Sequence, residues 1–195
     1  MLQPSLKSIN QLFEHALTEQ PVSPGEIWEI QGYDIIPGGD THSSYLLHSN
    51  GPDFFLKLNE HSKGCLFSAE AESLSAIHAT QTIRTCKPLC TGLSQGFSYL
   101  LLDALALEPD GDWYKAGQQL AQMHLAPAPD YFGFDSPSYC GKTYQPSNIT
   151  SDWASFFAQY RIGHQLSLFR GQPPTAPEIR STVELFEQRL DTRRP

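Results

Sequence analysis

Positive charge is scarce in this 195-residue chain: 13 lysines and arginines stand against 21 acidic residues, for a formal net charge of −8. That balance excludes the broad basic surface that grips nucleic acid or anionic lipid, so any phosphate has to be held locally, by backbone amides and one or two lysines. Cysteine is scarce as well, with four residues at 65, 86, 90 and 140. Lys87, Pro88 and Leu89 separate Cys86 from Cys90, which is neither a redox Cys-x-x-Cys nor a zinc knuckle. Reduced, partly buried thiols are expected. The seven histidines contain no His-x-x-x-His pair, so no metal site is expected from them. No stretch approaches the ~20 apolar residues of a membrane span. Met1-Leu2-Gln3-Pro4-Ser5 is not a basic region leading into an apolar run, so no secretory signal is expected. The chain reads as soluble and cytoplasmic, without nucleic-acid or membrane partners.

What remains is ordinary globular composition, 39% hydrophobic and 17% charged, in a chain long enough for one domain or two small ones. Leu6, Ile9, Leu12, Phe13, Ala16 and Leu17 recur at helical spacing after Pro4-Ser5. Strand-like runs come next at 27–30, 33–36, 44–47 and 54–58, with Asn50-Gly51 as a hairpin turn whose residues tolerate positive φ. Helical spacing returns over 66–79, and 84–89 and 97–102 read as strands around a turn at 92–96. After Asp103 only helices are predicted. One is opened by Asp110-Gly111-Asp112 with Trp113, Ala116, Leu120, Met123 and His124 on one face. A second runs from Trp153 to Phe169, capped by Asp152, and a last one spans about 178–190. Phe156, Phe157, Tyr160, Leu166 and Phe169 form the second helix's buried stripe, and its aromatics read as core rather than as a sugar platform. Strands with one helix, then helices alone, predict an α+β chain in two lobes, residues 1–105 and 106–195.

The chemistry gathers in the first lobe. Gly38-Gly39-Asp40-Thr41 leads into Ser43 and Ser44, a turn whose amides and hydroxyls suit phosphate, although a plain hairpin has the same sequence. Lys57 lies between Leu56 and Leu58 on the following strand; it reads either as a phosphate contact or as an exposed edge lysine. Glu70, on the next helix, is the partner that would orient Lys57, whereas Glu72 points elsewhere. Glycine loop, strand lysine and helix glutamate, in that order, match the phosphate-handling half of a kinase as well as they match a plain hairpin with an edge lysine. The apolar strand Tyr99-Leu100-Leu101-Leu102 runs into Asp103, Ala104 and Leu105, which reads as an adenine-contacting connector or as a core strand meeting a loop.

Longer stretches carry a family resemblance. Phe55-Leu56-Lys57-Leu58-Asn59, Phe67-Ser68-Ala69-Glu70-Ala71-Glu72, Gly117-Gln118-Gln119-Leu120-Ala121-Gln122-Met123-His124 and Phe132-Gly133-Phe134 through Cys140-Gly141, Gln145, Asp152-Trp153, Phe156-Phe157, Arg161 and Gln165-Leu166 resemble the fructosamine (ketosamine-3-) kinase family over most of residues 30–170. The resemblance implies a protein-kinase-like fold with a complete N-lobe of antiparallel sheet plus helix and a partial helical C-lobe. It implies ATP over Gly38, Gly39, Thr41, Ser43 and Ser44, Lys57 paired with Glu70, and adenine at Asp103, Ala104 and Leu105. The reaction it implies is phosphorylation of the sugar 3-hydroxyl of ketosamines, free or on glycated protein side chains, which deglycates the amine.

The family's catalytic aspartate and magnesium ligands have no counterpart in these 195 residues. His124 and His164 are followed by Leu125-Ala126 and Gln165-Leu166 rather than by a His-x-Asp loop, and Gly133-Phe134-Asp135 is not Asp-Phe-Gly. The expectation is a carboxy-terminally truncated family member, inactive alone, whose Mg ligands belong to the missing segment. Two alternatives stay open: a non-catalytic nucleotide-binding or interaction module (a pseudokinase remnant), and an aminoglycoside or choline kinase relative.

Overall fold

The computed structural model describes residues 4–19, 27–38, 41–60 and 64–191. The chain divides into two compact units, residues 1–126 and 127–195. The lobe border expected from the sequence falls earlier, after Leu105.

The first unit is built on a five-stranded antiparallel sheet in the order β1-β2-β3-β5-β4. Its strands are β1 (Ile30–Ile36), β2 (Ser43–Ser49), β3 (Phe54–Glu60), β4 (Pro88–Ser94) and β5 (Phe97–Asp103). Strand alternation divides the side chains between two helices. On one face Tyr45, Leu47, Phe54, Leu56, Leu58, Tyr99 and Leu101 pack against Ile9, Leu12, Phe13 and Ala16 of α1 (Leu6–Glu19). On the other, Phe55, Leu100 and Leu102 pack against Phe67, Ala71 and Leu74 of α2 (Gly64–Ala79). Ser5 starts α1 as expected, with the Ser8 N–H donating to its Oγ at 3.1 Å.

Three local expectations are corrected. Of the two short strands expected at 27–30 and 33–36, residues 27–29 lie outside the sheet and Ile30 joins 33–36 in a single strand with an irregularity between Ile30 and Gly32. Asn50-Gly51 does link β2 to β3, but neither residue has positive φ. Gly51 is needed for space instead, since a Cβ there would lie 2.7 Å from the Trp28 ring. Strand β4 starts at Pro88, four residues late, and runs through Gly92, whose missing side chain admits the Tyr99 ring. The actual turn is Gln95-Gly96, with φ of 51° and 80°.

Helix α3 (Trp113–Leu125) closes this unit, capped by Asp112, whose carboxylate accepts from the Lys115 N–H at 2.9 Å. It has no buried residue; Trp113 and Leu125 are more than 80% exposed.

In residues 127–195 a hairpin forms where the sequence predicts loop, from β6 (Ser138–Cys140) and β7 (Thr143–Gln145), turning at Gly141. The long predicted helix is present from Trp153 to Arg170 as α4 (Trp153–Phe157), a π-helical stretch over Ala158–Gly163, and α5 (His164–Arg170). The extra residue that a π-turn inserts rotates the downstream side chains relative to an ideal helix. Phe169, expected in the buried stripe, is accordingly 89% exposed, while Phe156 stays buried. Helix α6 (Ala176–Asp191) packs Phe186 edge-on against Trp153 and Phe157, at 5.7 and 5.5 Å between ring centroids.

At the start of helix α6 the Glu178 carboxylate turns back onto Thr175. Thr175 donates from its N–H and its hydroxyl to Glu178, at 2.8 and 2.9 Å, and Arg170 donates to the other carboxylate oxygen at 2.7 Å. These bonds, led by the Thr175 N–H, hold the Glu178 carboxyl down at about 2. Because the folded value is depressed, its stabilisation is present above the ordinary value of 4.5 and lost as the pH falls toward 2. The expected result is a melting-temperature gap between wild type and Glu178→Gln that is open near neutrality and closes through that acid window in thermal scans.

Candidate functional site

The structure brings Ser44, Lys57 and Glu70 of the predicted site together on the α2 face of the sheet, whereas Ser43 and Asp103, paired with Leu58 and Phe54, fall on the α1 face. Register places Ser44 opposite Lys57, and Lys57 opposite Leu100, so these side chains share one face. Lys57 Nζ donates to Glu70 Oε1 in a tight ion pair that joins β3 to α2. Both groups are largely withdrawn from solvent, with side-chain exposures of 19% and 30%. Glu72 lies on the exposed side of α2. Toward the other end of the strands the same face carries Leu46, Phe55 and Leu102, paired in register across β2, β3 and β5.

Asp103, Ala104 and Leu105 leave the sheet from the end of β5. Asp103 is tied down twice, donating its N–H to the Lys87 carbonyl at 3.1 Å and accepting the Lys87 N–H on its carboxylate. The Ala104 N–H is also committed, to the Asp53 carbonyl at 3.3 Å. From Leu100, opposite Lys57, to Asp103 is three strand residues, about 10 Å.

At the glycine turn, Gly38 has a φ of +115°, a conformation that favours glycine, and a Cβ there would meet nothing within 4 Å. Gly39 and Asp40 lie outside the described residues. Past them, the Thr41 carbonyl accepts from Asn59 Nδ2 at 3.0 Å, which fastens the end of the turn to β3. Ser43 and Ser44 are buried at the start of β2.

Two neighbours escape a reading of the sequence alone. Asn59 is the anchor just described; it belongs to a stretch quoted for the family resemblance, but its role is signalled only by its place two residues after Lys57, on the same side of the strand. His42 sits edge-on to Phe67, 5.6 Å between centroids. Burial, then the charge of Lys57, pushes its imidazole below the ordinary value of 6.5, against an opposing pull from Glu70. The neutral form of His42 is thereby favoured beside the ion pair. A histidine two residues after Gly-Asp is the available clue.

Among the described residues, no group of three or more His, Cys, Asp or Glu side chains is placed to hold a metal ion. No helix among them is long and apolar enough to cross a membrane. A cavity of about 540 Å³ in residues 127–195 is lined by Pro146, Gln159, Tyr160, His164, Pro174 and Ile179 among others. With no lysine or arginine in its wall, it lacks the charge to hold a polyphosphate.

The description "Fructosamine kinase" belongs to the family profile that this sequence matches, over residues 11–195. The chain is a member of that family. It is 38% identical over 173 residues to a probable ketoamine kinase of Synechocystis, covering 88% of this chain and 59% of the relative. With a probable ketoamine kinase of Vibrio parahaemolyticus the identity is 33% over 187 residues, with 94% and 60% covered. A provisionally assigned fructosamine-3-kinase of Haemophilus somnus, solved by crystallography, superposes with a TM-score of 0.73 at 29% identity, covering 97% of this chain and 62% of that one. A second such protein, from Thermobifida fusca, shares the fold at 20% identity and a TM-score of 0.66. The fold is the expected protein-kinase-like α+β arrangement. The chain spans about 60% of the length of these fructosamine kinase relatives.

Proposed function

We propose that residues 1–105 are the ATP-binding lobe of a ketosamine kinase and that residues 106–195 begin its helical lobe. The observation that carries this reading is the Lys57–Glu70 ion pair, on the same sheet face as an apolar floor of Leu46, Phe55 and Leu102. Adenine would lie on that floor. The Asp103 carbonyl would accept from its amino group and the Leu105 N–H would donate to its ring, since the Ala104 N–H is already held by Asp53. About 10 Å further along the sheet, a span a nucleoside polyphosphate can bridge, Lys57 would meet the phosphates, and Gly38, Gly39, Thr41 and Ser44 would cover them. A lysine fixed by a carboxylate and screened from water fits a polyphosphate, because the charge is presented without reorganisation.

Bound ATP would supply the phosphoryl group, and magnesium would neutralise its charge. The acceptor in this reading is the sugar 3-hydroxyl of a cytoplasmic ketosamine, free or on a protein side chain. Within residues 1–195 there is no His-x-Asp segment to take the acceptor's proton. The 195-residue chain is thus expected to bind MgATP in calorimetry and to transfer no phosphate to a ribulosamine or fructosamine. Absence of binding would overturn the nucleotide reading; measurable phosphorylation would overturn the inactivity.

A non-catalytic nucleotide-binding or interaction module is the second reading. The packing of Phe186 against Trp153 and Phe157 favours it, since that side chain of α6 finds cover within residues 127–195, while Leu185 stays 51% exposed.

A further inference from the structure

His48 on β2 lies between two carboxylates, its Nε2 3.0 Å from Asp34 Oδ2 on β1 and its Nδ1 3.1 Å from Asp53 Oδ2 just before β3. A neutral imidazole has one N–H, so it can satisfy only one of these oxygens and must turn a lone pair toward the other. Only the imidazolium donates to both. Asp53 is also the residue whose carbonyl accepts the Ala104 N–H in the connector after β5. One residue is thus held by its side chain to His48 and by its main chain to the proposed adenine contact.

We propose that protonated His48 is a positioning residue for the nucleotide: it clamps Asp34 and Asp53, and through the Asp53 carbonyl it holds the connector in the conformation that receives adenine. The inference rests on the nucleotide reading above. Two effects act in the same direction. Loss of the proton leaves one carboxylate facing a lone pair, which loosens the 50–53 link and the 3.3 Å bond to Ala104. It also restores negative charge on this face of the sheet.

Asp34 and Asp53 are the charged groups that act on the ring, and Gly32, its partner on β1, brings none. Hydrogen bonds to Asp34 and then Asp53 raise the imidazole above its ordinary 6.5. A raised folded value means that the clamp is fully present below 6.5 and is lost as the pH climbs through the raised value.

Adenosine is the probe, because it has no phosphate to titrate in the window and does not reach the His42 end of the face. In calorimetric titrations of the 195-residue chain from about pH 5.5 to 8.5, adenosine affinity of the wild type should fall about threefold or more, the scale of one part-exposed ion pair. Its midpoint should coincide with the His48 titration followed by imidazole NMR on the same sample. His48→Gln keeps one neutral donor and should show a flat profile at the weak, high-pH affinity of the wild type. Parallel profiles for the two proteins, or a wild-type midpoint displaced from the His48 titration, would overturn the clamp and leave the nucleotide site standing. If neither adenosine nor MgATP binds at any pH, the nucleotide reading itself fails.

Discussion

Lys57→Ala should weaken MgATP binding by about 30-fold or more, the largest loss expected from any single side chain on the α2 face. Truncating one member of a screened, hydrogen-bonded charge pair costs about 2–5 kcal/mol, and the lower bound corresponds to about 30-fold. Two terms add here. The phosphates lose their cation, and Glu70 is left as an uncompensated carboxylate facing them. Glu70→Ala removes only the orienting partner, so its loss should be smaller, about tenfold. The double variant should lose little more than Lys57→Ala alone, because both substitutions break one unit. Lys57→Arg should not restore wild-type affinity, since the wider guanidinium does not fit where a single ammonium is held between β3 and α2. Calorimetry with MgATP measures all four proteins. If Lys57→Ala bound within twofold of the wild type, the ion pair would be a structural tie between β3 and α2, and the nucleotide would have to be held elsewhere.

The features that the sequence shows plainly are those set by local patterns. Short apolar runs mark β2, β3 and β5, and 3.6-residue spacing marks α1 and α2. Ser5, Asp112 and Asp152 announce helix starts because a side-chain oxygen before a helical run has one obvious use. Lys57 and Glu70 are legible because a charge in an apolar strand calls for a partner, and the very next element is a helix that carries one. Where local pattern misleads, a residue's reason lies across the fold. Gly92 looks like a turn, yet it makes room for Tyr99; Gly51 looks like a positive-φ residue, yet it makes room for Trp28. Phe169 looks buried when helical spacing is continued through a stretch that inserts a π-turn. His48 is invisible for the same reason, since its two carboxylates, at positions 34 and 53, reach it only through strand pairing. Asp103, Ala104 and Leu105 suggest backbone roles, and it takes the hydrogen bonds from Lys87 and to Asp53 to separate a committed N–H from the one proposed for adenine.

Gly133 shows how a motif residue quoted for family resemblance acquires a physical cause, and it carries the largest expected stability effect. Its φ is +110°, and a Cβ there would lie 2.0 Å from the Asn148 carbonyl oxygen and 3.0 Å from Cε2 of Phe156. The crowding exists because the chain on either side is laced to residues 147–150. Phe132 and Thr150 exchange N–H···O bonds of 2.8 and 2.9 Å, and the Phe134 N–H donates to Ser147 Oγ at 2.9 Å. Asn148 cannot retreat freely, since its side chain is bonded to Tyr160 on the long helix. Gly133→Ala must therefore part the two segments, giving up bonds worth about 1 kcal/mol each, and hold alanine in backbone space that is almost reserved for glycine. A loss of about 4 kcal/mol or more is expected. Gly141 is the matched control. Its φ of +59° is also left-handed, but nothing lies within 4 Å of its would-be Cβ, so Gly141→Ala should cost only about 1 kcal/mol. Denaturant titrations read by Trp153 fluorescence, with Trp28 and Trp113 replaced by phenylalanine in the common background, report on residues 127–195 directly. Equal losses in the two variants would mean that backbone conformation alone governs both sites. A large loss at 133 with a small one at 141 would show that the Asn148 carbonyl is the wall that makes glycine necessary there.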